Sequence, residues 1–63
     1  MHSPITTYAG IDWAKESHAV CIIDEHGTVL ERYEVEHSGA GLASLVRELR
    51  TRHVSSVAIE RHQ

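Results

Sequence analysis

At 63 residues, with six Lys and Arg against nine Asp and Glu, the chain carries a formal charge of -3 and a single cysteine, Cys21. That length allows one small domain at most, and a chain of this size buries only about 60% of its unfolded surface. The acidic balance excludes unaided electrostatic capture of nucleic acid, and one cysteine excludes an internal disulfide. No apolar run approaches the roughly 18 residues of a membrane span, and the opening "MHSPITTYAG" lacks the basic and apolar regions of a signal peptide, so a cytoplasmic location with no membrane partner is expected. The six histidines, His2, His18, His26, His37, His53 and His62, show none of the close pairing of a zinc site.

In chain order, residues 1–7 are expected to be flexible. Tyr8 to Asp12 is a short extended run, ended by the polar connection "WAKES". His18 to Asp24 is apolar on both alternating sets, Val20 and Ile22 on one face and Ala19, Cys21 and Ile23 on the other, which predicts a strand covered on both sides with Cys21 as a small core residue. "DEHG" follows, with Gly27 suited to the left-handed position of a hairpin loop. Thr28 to Glu36 alternates less cleanly: Val29, Glu31, Tyr33 and Val35 share a face, and heavy charge on both faces predicts an edge strand.

At Ser38 the period changes. Leu42, Leu45, Val46 and Leu49 fall at i, i+3, i+4 and i+7, the apolar stripe of an amphipathic helix, with Ser38 as its N-cap. Glu48 and Arg52 stand four apart on the solvent side and can pair. Arg47, Arg50, Arg52 and His53 gather where positive charge suits the helix dipole, a solvated helix end in preference to a DNA contact. Val54 to Glu60, "VSSVAIE", returns to period two.

The order strand, strand, strand, helix, strand predicts an α/β fold in which two hairpins and a helical crossover build a mixed sheet. The last strand can lie parallel beside the first. Asp12 and Glu60 then fall near the C-terminal ends of two parallel neighbours, where open α/β sheets place ligand sites. The residues two before them, Gly10 and Ala58, are small and leave space, whereas Ile11 and Ile59 face the other way into a core. Two close carboxylates repel unless they share a cation, and hard oxygen ligands favour Mg²⁺ or Mn²⁺ over zinc. A pair of such ions is a common device for in-line attack on a phosphodiester. The plain alternative is that Asp12 caps the "WAKES" turn and Glu60 merely ends a strand.

The tract "YAGIDWAKESHAVCIIDEHG", followed after a helix by "VAIE", resembles the N-terminal part of the RuvC-like DEDD domain of bacterial insertion-sequence transposases, the bridge-RNA-guided recombinases. The resemblance covers about residues 8–60. It implies a partial ribonuclease H-like fold, with Asp12 matching the first acid of the DEDD set and Glu60 the second, both as catalytic metal ligands for Mg²⁺ or Mn²⁺. Lys15 and His18 match family positions around the first hairpin. For the parent protein it implies DNA and guide RNA as partners and cleavage with strand transfer in transposition.

Two departures qualify what is implied. Many members continue after the second acid with a Thr-Gly-aromatic stretch, whereas "ERHQ" stands here, and the 63 residues contain neither the last two acids nor the serine domain. The chain is therefore expected to be a fragment, 1–63 of a catalytic domain, inactive alone. A sugar-kinase or actin-like ATPase is a rival, but Ala14 stands where its phosphate loop has glycine, and a Holliday-junction resolvase has Asp-Pro-Gly in place of "DWA". A non-catalytic partner-binding module is the other alternative. One helix covers only one sheet face, so a homo-oligomer formed through the bare face or an edge is expected.

Overall fold

The computed structural model describes residues 6–61. Strands β1 (Thr7–Trp13), β2 (Ser17–Asp24) and β3 (Val29–Glu36) are followed by helix α1 (Gly39–Thr51) and strand β4 (Ser56–Arg61). They form one mixed sheet in the order β3-β2-β1-β4, with β1–β2 and β2–β3 antiparallel and β4 parallel to β1. This is the expected α/β arrangement, a partial ribonuclease H-like fold.

Local chemistry sets each connection. Between β2 and β3 the Asp24 carboxylate accepts the backbone N–H of His26 at 2.8 Å and of Thr28 at 2.9 Å. Gly27 takes φ +85° to close the loop. The Thr28 N–H bond is the main reason that the Asp24 carboxyl lies below its ordinary pKa. Ser38, with extended φ -152°, caps α1 by accepting the Gly41 N–H at 3.0 Å. The helix ends in a Schellman motif: Val54 N–H donates to the Leu49 carbonyl and His53 N–H to the Arg50 carbonyl, both at 3.1 Å, while His53 sits at φ +53°.

The core consists of Ala9, Ile11, Val20, Ile22, Val35 and Leu45, with Trp13, Tyr33, Leu49 and Val54 packed against it. Helix α1 lies over β3 and leaves β4 uncovered. That placement corrects three expectations. Ile59 is 56% exposed and does not reach the core, and Val46, on the apolar stripe, is 50% exposed. Strand β2 is sealed on one face only: His18, Val20 and Ile22 are fully buried, whereas Ala19 is exposed and Cys21 and Ile23 are half-buried.

Three smaller differences follow from backbone geometry. The β2–β3 register shifts between Ile22 and Ile23, so Ile22 pairs with Glu31 and Ile23 with Val29, and Val29 leaves the face of Tyr33 and Val35. Of the residues 1–7 expected to be flexible, 1–5 lie outside the described residues, but Thr7 is buried at the start of β1 and its carbonyl accepts the Ser55 N–H at 2.8 Å. Arg52 does reach Glu48, at 3.5 Å, yet it also pairs with Glu31 on β3, so the contact ties helix to sheet instead of decorating the solvent side.

Candidate active site

Parallel pairing of β1 with β4 sets Asp12 opposite Glu60 and Gly10 opposite Ala58. Neighbouring strands lie about 4.8 Å apart, so the two acids leave the sheet side by side at the C-terminal ends of their strands. The sequence expectation that brings these two residues together is met. Both line a hollow of about 470 Å³ on the sheet face opposite α1, floored by Gly10, Ala58, Ala19 and Cys21. The floor is low because the side chains are small. A Cβ placed on Gly10 would meet nothing within 4 Å. Cys21 is thus part of this half-open floor and not of the sealed core.

Arg32 lines the same hollow from β3, where it pairs with Cys21, which in turn pairs with Gly10. On sequence alone Arg32 is one charge among many on an edge strand. Its alternation in step with Cys21 was the available signal. An open, mainly backbone-and-methyl floor with two carboxylates at one end and a guanidinium across it can hold a cation at the acids and an anionic group near Arg32.

The donor set suits a hard divalent cation and is incomplete for one. Asp12 and Glu60 supply carboxylate oxygens, but among the described residues no group of three or more His, Cys, Asp or Glu stands close enough to hold a metal ion. Two carboxylate groups are oxygen donors of the type that hard divalent cations prefer.

The other two residues of the tract after Asp12 part company. Lys15 is exposed in the turn between β1 and β2. His18 is fully buried on the opposite face from Asp12, stacked on Trp13 with ring centroids 3.6 Å apart and planes 15° from parallel. Its Nδ1 lies 3.1 Å from the Ala14 N–H and its Nε2 lies 3.0 Å from Nδ1 of His37. Burial, and then the neighbouring His37 charge, lower the His18 pKa. Nothing in the local spacing announces the partnership with His37, which forms only when β3 folds back along β2.

The profile of the IS110-type DEDD family, described as "Transposase", matches residues 9–63. The chain belongs to this transposase family. Among curated relatives it is 45% identical over 38 residues to a Sinorhizobium fredii protein named as the transposase y4uE, an alignment covering 60% of this chain and 11% of the relative. It is 38% identical over 42 residues to a Streptomyces coelicolor protein named as a mini-circle transposase for IS117, covering 67% of this chain and 10% of that relative. The chain therefore matches about a tenth of the length of these transposases. No solved structure matches it. Membership in the DEDD transposase family agrees with the insertion-sequence resemblance of the "GIDWAKESH" tract and with the RuvC-like strand order. No helix among the described residues is long and apolar enough to cross a membrane.

Proposed function

We propose that these 63 residues are the N-terminal part of a catalytic domain that cuts and joins DNA during transposition, and that Asp12 and Glu60 are the first two acids of its metal site. The observation that carries the reading is the in-register placement of Asp12 beside Glu60 on parallel strands above a floor of small residues. Asp12 and Glu60 would hold Mg²⁺ or Mn²⁺. When bound, such an ion supplies charge stabilisation at a phosphodiester and a lowered pKa for attacking water. The chain's own part is to present two carboxylates from paired parallel strands, to keep the approach above Gly10 and Ala58 clear, and to offer Arg32 to a backbone phosphate.

The remaining two acids and the nucleophilic serine are supplied by sequence beyond these residues in this reading, and DNA and a guide RNA are partners of the whole protein. The 63 residues alone are inactive. The deciding experiment is strand transfer by the whole transposase: Asp12→Asn and Glu60→Gln each abolish cleavage while leaving its thermal unfolding unchanged, because each keeps shape and removes charge. Cleavage retained by either variant ends the reading.

A second reading, self-association without catalysis, is favoured by the uncovered sheet face, where Tyr8 is 38% exposed beside half-buried Cys21 and Ile23. A homodimer through that face is expected of the 63 residues at micromolar concentration. Sedimentation as a compact monomer would remove it.

A further inference from the structure

The turn Ala14–Glu16 follows Asp12 by one residue and is held at one end by the His18 ring, from β2, and at the other by the backbone of His37, the residue after β3. The Ala14 N–H donates to His18 Nδ1 at 3.1 Å, and the Glu16 carbonyl accepts the backbone N–H of His37 at 2.9 Å. The two imidazoles are joined to each other, Nε2 of His18 to Nδ1 of His37 at 3.0 Å. Trp13 lies flat on His18 and edge-on to His37, with its centroid 5.8 Å from the latter. The arrangement closes into a ring: turn, His18, His37, turn.

Donor and acceptor bookkeeping fixes the protons. A backbone N–H can only donate, so Nδ1 of His18 must carry a lone pair. The one imidazole proton then sits on Nε2 and is donated to His37, whose Nδ1 accepts. A protonated His18 would face the Ala14 N–H donor to donor, and the burial that lowers its pKa acts in the same direction. A generic core side chain at this position, an aliphatic one for example, would fill the volume under Trp13 and leave the Ala14 N–H without its acceptor. What the geometry uses is one nitrogen of known protonation.

We propose that His18 is a positioning residue: as the Nε2–H tautomer it clamps the turn that follows Asp12, and so fixes the end of β1 from which that acid projects. This rests on the reading of Asp12 as a site residue, but the clamp itself can be measured without metal or DNA. Asn places its amide oxygen near the position of Nδ1, whereas Gln places its amide near Nε2. His18→Asn therefore keeps the acceptor for Ala14 and His18→Gln does not.

The test has two parts. Long-range ¹H–¹⁵N spectra of the wild-type chain should show His18 as the Nε2–H tautomer; an Nδ1–H tautomer overturns the proposal and requires no variant. Amide hydrogen exchange then reads the clamp: the Ala14 N–H should exchange at least tenfold faster in His18→Gln and within about threefold of wild type in His18→Asn, with the amides of β2 and β3 as the internal measure of folding. Equal Ala14 exchange in the two variants means that His18 acts by volume alone and overturns it. The effect on the acid is read from the Asp12 amide, which should follow Ala14 in the Gln variant; an unmoved Asp12 overturns the positioning role. Asp12→Asn should leave Ala14 exchange unchanged, so failure of the metal reading and failure of the clamp give different results.

Discussion

Asp12 and Glu60 are direct cross-strand partners on the only parallel pair among the described strands, although 48 positions separate them in sequence. Their proximity is a product of topology: the α1 crossover returns the chain beside β1 in the same direction, and in-register pairing brings two strand ends level. Gly10 and Ala58, one step back along the same face, keep the space in front of the acids open.

Two carboxylates with no third His, Cys, Asp or Glu grouped with them among the described residues should bind Mn²⁺ or Mg²⁺ weakly, roughly in the millimolar range. Mn²⁺ titrated into the chain should broaden the NMR signals of Asp12, Glu60 and their strand neighbours first. Asp12→Asn should weaken that broadening strongly. Broadening that begins at the exposed histidines His26 and His53 and spares β1 and β4 would assign the ion elsewhere.

Stability should fall as the solution is acidified through the imidazole range. The folded His18 pKa is lowered from its ordinary 6.5, so between the two values the unfolded chain binds the proton that the folded chain refuses. Its contribution is complete above pH 6.5 and is lost as pH falls from there through the lower folded value. Asp24, also lowered, acts only below its ordinary 3.8 and does not overlap this window. Urea unfolding between pH 7 and pH 5 checks the point: wild type should lose stability more steeply than His18→Asn. Equal slopes would mean that His18 titrates alike in both states.

Gly41→Ala should unfold much of the chain's stability despite the helix preference for alanine. Gly41 lies in the first turn of α1, and a Cβ there would overlap the Glu36 backbone carbonyl at the end of β3. Backbone cannot swing aside as a flexible side chain can, so the overlap should cost about 3 kcal/mol, more than the roughly 1 kcal/mol of helix propensity gained. Gly39→Ala is the matched control, since a Cβ there meets nothing within 4 Å. A Gly41→Ala midpoint at or above that of Gly39→Ala would contradict the overlap.

Periodicity made most of the fold legible: the strand order, the helix beginning after Ser38, and the pairing of the first strand with the last all follow from local pattern and the need for a crossover. The adjacency of Asp12 and Glu60 was legible for the same reason, as both end strands that the crossover makes parallel neighbours. What local pattern could not reveal was which part of the sheet one helix covers. Ile59 and Val20 look alike as β-branched strand residues, yet α1 packs over β3 and leaves Ile59 largely in water while Val20 is sealed. The bulge at Ile22/Ile23 turned Val29 out of its expected face, because alternation holds only while pairing is unbroken. Arg32 and His37 carry no signal in the local pattern, because each gains meaning only from residues on another strand, Cys21 and His18.

His53 offers a site where the chain can be made more stable without touching the acids. It occupies the residue after the C-cap of α1 at φ +53°, the left-handed conformation in which a Cβ crowds the following carbonyl, and no hydrogen bond of its exposed imidazole is needed for the turn. The two bonds that close the helix, from His53 N–H to Arg50 and from Val54 N–H to Leu49, are backbone bonds that glycine would preserve. His53→Gly should therefore raise stability by about 0.5–1 kcal/mol, even after the greater freedom of glycine in the unfolded chain is counted. For a domain of this size each kcal/mol moves the melting temperature by about 4–8 °C, so the gain is measurable by circular dichroism. His53→Ala separates backbone strain from loss of the imidazole: alanine keeps the Cβ and should show no such gain. A melting temperature for His53→Gly no higher than that of His53→Ala would show that the left-handed turn carries no strain for glycine to relieve.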